Sequence, residues 1–227
     1  MTLREAAGAG LQAAKKNLLP GVMLQIAMGC FLVAYLFHDG TREFLARVGE
    51  SREEMGYLFA LVTYLVSGAV LPEVLRIVFF QRCRPTRENL WSMATAAPCW
   101  GLMGMVVDFF YRCQNVMFGT GNEWNVILLK IAVDQFLYSP FFANPVITGY
   151  FTLRAGRFGR EAFAFVFSRR FLSERWLPVQ IAGWGVWIPG VALVYSMPPM
   201  LQIPVAVLIH AFWVLILTTL AGKKSGD

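Results

Sequence analysis

Residues 124–153, WNVILLKIAVDQFLYSPFFANPVITGYFTL, form an apolar stretch that is long enough to cross a bilayer as a helix. One lysine, one aspartate and one glutamine lie inside it, at Lys130, Asp134 and Gln135. Charged groups at membrane depth are costly, and they usually mark a functional position. The stretch therefore predicts a membrane-spanning helix with a polar site near its middle.

The composition of the whole chain agrees with this prediction. Of its 227 residues, 57% are hydrophobic and only 15% are charged, and the mean hydropathy is +0.53. A soluble domain of this size carries more charge. The apolar runs are long and continuous rather than alternating with a period of two, which favours helices over a transmembrane barrel. We therefore predict an all-α polytopic transmembrane helical bundle that forms a single integral membrane domain over residues 1–227.

Charged or turn-forming segments separate six apolar stretches, each of which is a candidate span. They cover residues 17–38, 55–80, 91–118, 124–153, 176–197 and 200–221. Pro198 and Pro199 mark the turn between the last two. Residues 1–16 are predicted to form a cytoplasmic amphipathic segment, and the basic, Phe-rich residues 154–175 to form an interfacial amphipathic helix.

The distribution of basic residues predicts the orientation of the spans. The segments on one side of the six-span arrangement carry fourteen basic residues, whereas those on the other side carry three, in a charged loop after the first span. The positive-inside rule then places both termini in the cytoplasm or its organellar equivalent. We see no organellar address at either end. A bacterial plasma membrane is the expected location, and a mitochondrial inner or peroxisomal membrane is the alternative.

Four charged residues of the third and fourth spans are spaced for pairing. Asp108 and Arg112, like Lys130 and Asp134, stand four residues apart and share a helix face. Because only a short turn joins the two helices, they are predicted to be antiparallel neighbours, with both carboxylates ~20 Å from the turn. If the faces meet, the four charges form a net-neutral cluster near the middle of the bilayer. Such a cluster either fixes the helix register or lines a solute path together with Gln135.

The pattern K-x3-D-Q-x4-P, from Lys130 to Pro140, resembles the central signature of the Mpv-seventeen and peroxisomal-membrane-protein-twenty-two family. The likeness covers roughly residues 91–215. Its carboxyl-terminal part is carried by Trp184, Trp187, Pro189 and Trp213. Members of this family are small integral membrane proteins of mitochondrial inner, peroxisomal and related membranes, and some are linked to small-solute channel behaviour. The resemblance therefore implies a multi-pass protein and favours a channel.

Motifs of known enzymes and cofactor sites are not found. The sequence has no HExxH, GxSxG, P-loop or GxGxxG pattern, and Ser67 has no partner histidine nearby in the sequence. The four cysteines and two histidines form no metal-binding motif. We therefore expect no enzymatic activity, no cofactor and no metal. The basic residues lie between apolar runs and form no nucleic-acid-binding module, so we expect no nucleic acid either.

The leading functional hypothesis is a small-solute or metabolite channel, whose partners are the lipid bilayer and small solutes. The alternative is a noncatalytic membrane organiser or assembly factor for partner membrane proteins. An intramembrane enzyme without a known motif is the third hypothesis. A homo-oligomer is compatible with each of them.

Overall fold

The computed structural model of the protein describes residues 18–121 and 123–223 together with Gly8 and Lys15, with side chains for all of these except residues 20 and 212–223. The described residues form eight helices and no strands, which confirms the all-α prediction. The helices are α1 Leu18–Phe37, α2 Asp39–Met55, α3 Tyr57–Phe80, α4 Arg87–Phe118, α5 Trp124–Ala155, α6 Arg160–Val166, α7 Arg169–Tyr195 and α8 Pro199–Lys223. Apart from Gly8 and Lys15, the predicted amphipathic segment 1–16 lies outside the described residues.

Several of these helices have the length and composition of membrane spans. Within the described part of the chain, α3, α4, α5 and α7 each pass this test, and α1 with α2 passes it as a pair bent by 99°. Helix α8 is apolar over Pro199–Ala211, the part whose side chains are described. The helices are thus compatible with a membrane protein. Six crossings and an interfacial role for residues 154–175 remain predictions.

The charged loop expected after the first span is the helix α2. It ends at Gly56, whose φ of 56° is in the left-handed region that favours glycine. Its buried residues, Leu45, Gly49 and Arg52, recur at helical spacing and so share one face. A Cβ atom at Gly49 would lie 2.6 Å from the Met200 side chain, so α2 crosses closely over the start of α8.

Helix α8 lies at the centre of the bundle. It contacts α1, α2, α3, α4 and α7. Its buried apolar residues are Leu201, Ile203, Val205, Ala206 and Ile209. A helix that is apolar on all its faces is expected in such a central position. Helices α1, α2, α3, α4 and α7 are therefore arranged around a core built on the first half of α8.

Helices α3 and α4 pack closely because glycines stand where they meet. A Cβ atom at Gly104 would lie 2.4 Å from the carbonyl oxygen of Ala60, and one at Gly68 would lie 2.5 Å from the indole of Trp100. Small residues let two helix backbones approach in this way. These contacts set an antiparallel register between the two helices.

This register places Asp108 near one end of α3. Gly104 lies beside Ala60, and about two turns further along α4 the guanidinium of Arg112 stands over the ring of Tyr57 at 5.0 Å. Asp108 is therefore level with the first turn of α3 rather than with its middle. The sequence placed it near mid-bilayer because distances were counted from the α4–α5 turn. The end of α4 extends beyond the start of α3, and the depth of Asp108 in a bilayer remains a prediction.

Three helices contain a π-helical stretch, and each stretch ends two residues before a proline. The pairs are Val66–Val70 with Pro72, Asp134–Ala143 with Pro145, and Leu172–Trp176 with Pro178. A proline inside an α-helix lacks an N–H donor, and its ring clashes with the carbonyl four residues earlier. The wider π-helical turn relieves this clash and lets the helix continue.

Candidate functional site

The carboxylate of Asp108 is neutralised by two arginines. Asp108 is fully buried, and its Oδ2 accepts a hydrogen bond from Arg112 Nη2 at 3.0 Å. Its Oδ1 accepts a hydrogen bond from Arg52 of α2. The predicted pair with Arg112 is confirmed. The second arginine comes from the segment that the sequence assigned to a loop, and sequence reasoning missed it.

Lys130 and Asp134 do not pair. Lys130 is only 1% exposed, and its Nζ donates a hydrogen bond to Asn115 Oδ1 at 2.6 Å. It has no ion pair within the described part of the chain. The predicted four-charge cluster is therefore wrong. The two residues do share a regular turn of α5, since the Asp134 N–H donates to the Lys130 carbonyl. Their side chains have other partners: Lys130 binds Asn115 of α4, and Asp134 binds Tyr195 of α7.

Neutral donors hold the carboxylate of Asp134. The hydroxyl of Tyr195 donates to Oδ2 at 2.5 Å, and the side-chain amide of Gln135 donates to Oδ1 at 2.9 Å. The Tyr195 hydroxyl in turn accepts a hydrogen bond from Gln114 at 2.5 Å. Asp134 and Gln135 are both buried, and the Oε1 atom of Gln135 has no hydrogen-bond partner among the described residues. An acceptor of this kind is costly to bury and is available to a ligand.

The wide turn of α5 also explains how α5 and α7 are joined. In π-helical bonding each N–H donates to the carbonyl five residues earlier, so Pro140 leaves the carbonyl of Gln135 without a donor, and Pro145 leaves that of Pro140. Two indoles of α7 replace the missing donors. Trp184 donates to Gln135 O at 2.9 Å, and Trp176 donates to Pro140 O at 3.0 Å.

The first cavity lies beside these residues. It has a volume of about 380 Å³ and is bounded by α3, α4, α5, α7 and α8. Its wall is mostly apolar and aromatic, and the polar side chains that line it include Asp134, Gln135, Tyr138, Asn144, Gln180 and His210. The hydroxyl of Tyr138, like Oε1 of Gln135, is buried without a partner among the described residues. A mostly apolar cavity with a few convergent polar groups is the usual form of a small-molecule site.

The second cavity follows the first along the bundle. It has a volume of about 310 Å³ and lies between α3, α4 and α5. Its lining includes Glu73 and Arg154, with an apolar wall that contains Ala96 and Phe151. Trp100 lines both cavities, and its indole packs against Gly68. Trp100 is therefore a shared wall.

The two cavities succeed each other along α5. The first is lined by α5 residues from Asp134 to Thr148, and the second by Phe151 and Arg154. From Asp134 to Arg154 the helix rises ~30 Å, which matches the thickness of the hydrocarbon core of a bilayer. The α5 residues that line the two cavities therefore span a length comparable with a membrane crossing.

His210 supplies a contact that the sequence did not predict. Its Nδ1 lies 3.0 Å from the hydroxyl of Ser67, and its ring centroid lies 4.5 Å from that of Trp100. Ser67 is buried and does not line either cavity. The contact therefore joins α3 to α8, and positions a wall of the first cavity. Because 143 positions separate the two residues, no local pattern marks the pair.

Of the remaining residues of the family-like motifs, one lines the first cavity and two lie inside the helices that bound it. Trp187 lines the first cavity, whereas Pro140 and Pro189 lie within α5 and α7. The side chain of Trp213 lies outside the described residues. Among the residues that the structure describes, no group of three His, Cys, Asp or Glu side chains is placed to hold a metal ion.

Comparisons with known proteins give no match: no family model, no curated protein and no solved structure matches this chain. The site must therefore be interpreted from its own geometry.

Proposed function

We propose that the protein is a multi-pass membrane protein that forms a channel for a small solute or metabolite. The observation that carries this proposal is the series of two cavities with Trp100 as their shared wall. The α5 residues that line them span ~30 Å, which corresponds to about one membrane thickness. The motif resemblance of Lys130 to Pro140 favours the same class.

The polar atoms along this path are suited to an uncharged or internally neutral solute. In the first cavity, Gln135 and Tyr138 each offer a buried polar atom that has no partner among the described residues. The carboxylate oxygens of Asp134 already accept hydrogen bonds from Tyr195 and Gln135. The charge of this carboxylate still sets the local potential, because the surroundings have a low dielectric constant.

Trp100 is the proposed constriction. Its indole lies between the two cavities and packs against Gly68, Phe151 and His210. The arrangement corresponds to a closed path, and conduction requires the indole to move. Replacement by a smaller side chain, as in Trp100→Ala, is therefore expected to join the cavities and increase flux.

A pair of glycine substitutions in α7 tests the path. Gly183 lines the first cavity, and a Cβ atom there would have its nearest neighbour, Trp187, at 3.9 Å. Gly185 stands two residues away on the exposed surface, with nothing within 4 Å of its Cβ position. Gly183→Phe fills the cavity, whereas Gly185→Phe adds the same ring outside it. The two variants therefore form a matched pair.

The measurement is the release of small solutes from liposomes that contain equal amounts of folded protein. We expect Gly183→Phe to abolish flux and Gly185→Phe to leave it at the wild-type level. Equal flux in both variants would remove the first cavity from the path. No flux from the wild type or from Trp100→Ala under several gradients would favour the organiser instead.

A further inference from the structure

Two opposite charges face the second cavity from different helices. Glu73 of α3 is 9% exposed, and its Oε2 accepts a hydrogen bond from the side-chain amide of Asn89 at 2.7 Å. The nearest cation to Glu73 is Arg76, at 3.8 Å from Oε1, and the Arg76 side chain is half exposed. The carboxylate is therefore fixed mainly by a neutral group.

Arg154 of α5 is held in the same manner. Its Nε donates to Thr95 Oγ1 at 2.8 Å, and its Nη2 donates to the carbonyl of Ser92 at 3.3 Å. Within the described part of the chain it has no ion pair. Neutral groups from α4 thus position both Glu73 and Arg154 at the wall of one cavity.

The two side chains do not pair with each other, although they line the same space. Charges inside a membrane bundle are usually paired because an isolated charge is costly. Asp108 of this protein follows that rule with its two arginines. A fixed carboxylate and a fixed guanidinium that share a cavity without pairing are complementary to a molecule with the opposite arrangement of charges.

We propose that the second cavity binds a small zwitterion, with its ammonium group on Glu73 and its carboxylate or other oxyanion on Arg154. The apolar wall, which includes Ala96, Phe151 and Trp100, receives an apolar body. Aromatic rings also attract an ammonium group. A volume of about 310 Å³ is at the low end of the range for ligand sites, so the ligand is small. An amino acid with an apolar side chain has these properties.

This inference rests on the proposed function, since it names the zwitterion as the solute of the channel. The same chemistry has a second source in the bilayer, the headgroup of an aminophospholipid. Binding measured without flux separates the site from the channel, and lipid analysis separates the two sources.

The first test uses the wild-type full chain in detergent and three related molecules. L-leucine carries both charges, leucinamide lacks the carboxylate, and 4-methylpentanoate lacks the ammonium group. We expect L-leucine to bind at least about tenfold more tightly than either analogue, because each analogue leaves one fixed charge of the site unmatched. Equilibrium dialysis with labelled L-leucine, in competition with each analogue, gives the ratio. No substitution is needed, so folding does not limit this test.

The second test assigns each charge. Glu73→Gln is expected to remove the advantage of L-leucine over 4-methylpentanoate, and Arg154→Gln its advantage over leucinamide. Arg160→Gln is the control, because Arg160 is exposed and lines neither cavity; it should retain both preferences. Equal loss in all three variants would overturn the assignment of the site.

Native mass spectrometry of the purified protein distinguishes the sources. One outcome is that the wild type retains phosphatidylethanolamine, that Glu73→Gln and Arg154→Gln lose it, and that L-leucine does not bind. This outcome would support a zwitterion site and overturn its role as a solute site. Binding of neither molecule would overturn the whole inference. In that case, flux that is blocked by Gly183→Phe would still support the channel.

Discussion

Asp108 and Asp134 are each the single aspartate of a long apolar helix, but their hydrogen-bond partners differ in charge. Both are buried carboxylates on the neighbouring helices α4 and α5. Asp108 is paired with two arginines and lines neither cavity. Asp134 is held by a hydroxyl and an amide and lines the first cavity. The charge of Asp108 is thus used in ion pairs that fix the helices. The charge of Asp134 has no cationic partner among the described residues and can act on a molecule in the first cavity.

The largest effect is expected at the paired carboxylate. Asp108→Ala leaves Arg52, which is 7% exposed, with a buried charge and no partner. We expect a loss of about 3–5 kcal/mol in the free energy of unfolding, measured by denaturation in detergent. The double variant Asp108→Ala, Arg52→Met should recover part of this loss. An Asp108→Ala protein as stable as the wild type would mean that the ion pair does not fix α2 to α4.

Tyr195→Phe comes next, because one hydroxyl serves two buried groups. Its removal takes a donor from Asp134 and an acceptor from Gln114. We expect a loss of about 1–3 kcal/mol in the free energy of unfolding. Tyr111→Phe is a matched control, since Tyr111 is also buried in the same aromatic group. A smaller loss for Tyr195→Phe than for Tyr111→Phe would contradict the role given to the Tyr195 hydroxyl.

Asp134→Asn should change stability less and conduction more. The amide keeps the shape of the carboxylate but loses one acceptor, so we expect a cost of about 1 kcal/mol. If the path is as proposed, loss of the charge changes the local potential in the first cavity, so the relative flux of small cationic and anionic test solutes through liposomes should shift towards the anions. The comparison is made at matched amounts of folded protein. Unchanged selectivity in a conducting variant would remove Asp134 from the path.

The smallest effect is expected at Lys130. Its charge is buried without an acidic partner among the described residues, so Lys130→Met removes a desolvation cost along with the hydrogen bond to Asn115. We expect a change within about 1 kcal/mol. A double-mutant cycle of Lys130→Met with Asp134→Asn should give a coupling energy below about 0.5 kcal/mol. A large coupling would restore the pair that the sequence predicted.

The sequence predicts the helices well and their contacts poorly. Apolar length alone gives an all-α bundle, and Pro198 and Pro199 stand where α7 gives way to α8. The i, i+4 spacing also predicts the pair of Asp108 with Arg112, because both lie in a regular part of α4. These features depend on local length and periodicity, which a single sequence contains.

The candidate site depends on information that is not local. The partner of Asp134 is 61 positions away and that of Ser67 is 143 positions away. The spacing of Lys130 and Asp134 predicts a pair, but Asn115 of α4 and Tyr195 of α7 hydrogen-bond the two side chains instead, and no local pattern marks these partners. One available signal was missed: Leu45, Gly49 and Arg52 recur at helical spacing and mark α2 as a helix with a buried face.

The wide turn in α3 has a consequence for insertions and deletions. Relative to a regular α-helix, a π-helical turn holds one additional residue, so its loss would leave the helix on both sides in phase. Loss of a residue elsewhere would rotate one side by ~100°. The ring of Pro72 requires the wide turn, so the test is made in a Pro72→Leu background, where a regular helix can form. In that background, deletion of the exposed Val66 is the single-residue deletion that α3 should tolerate best. A deletion scan along α3 in this background should accordingly retain folded protein only within residues 66–70.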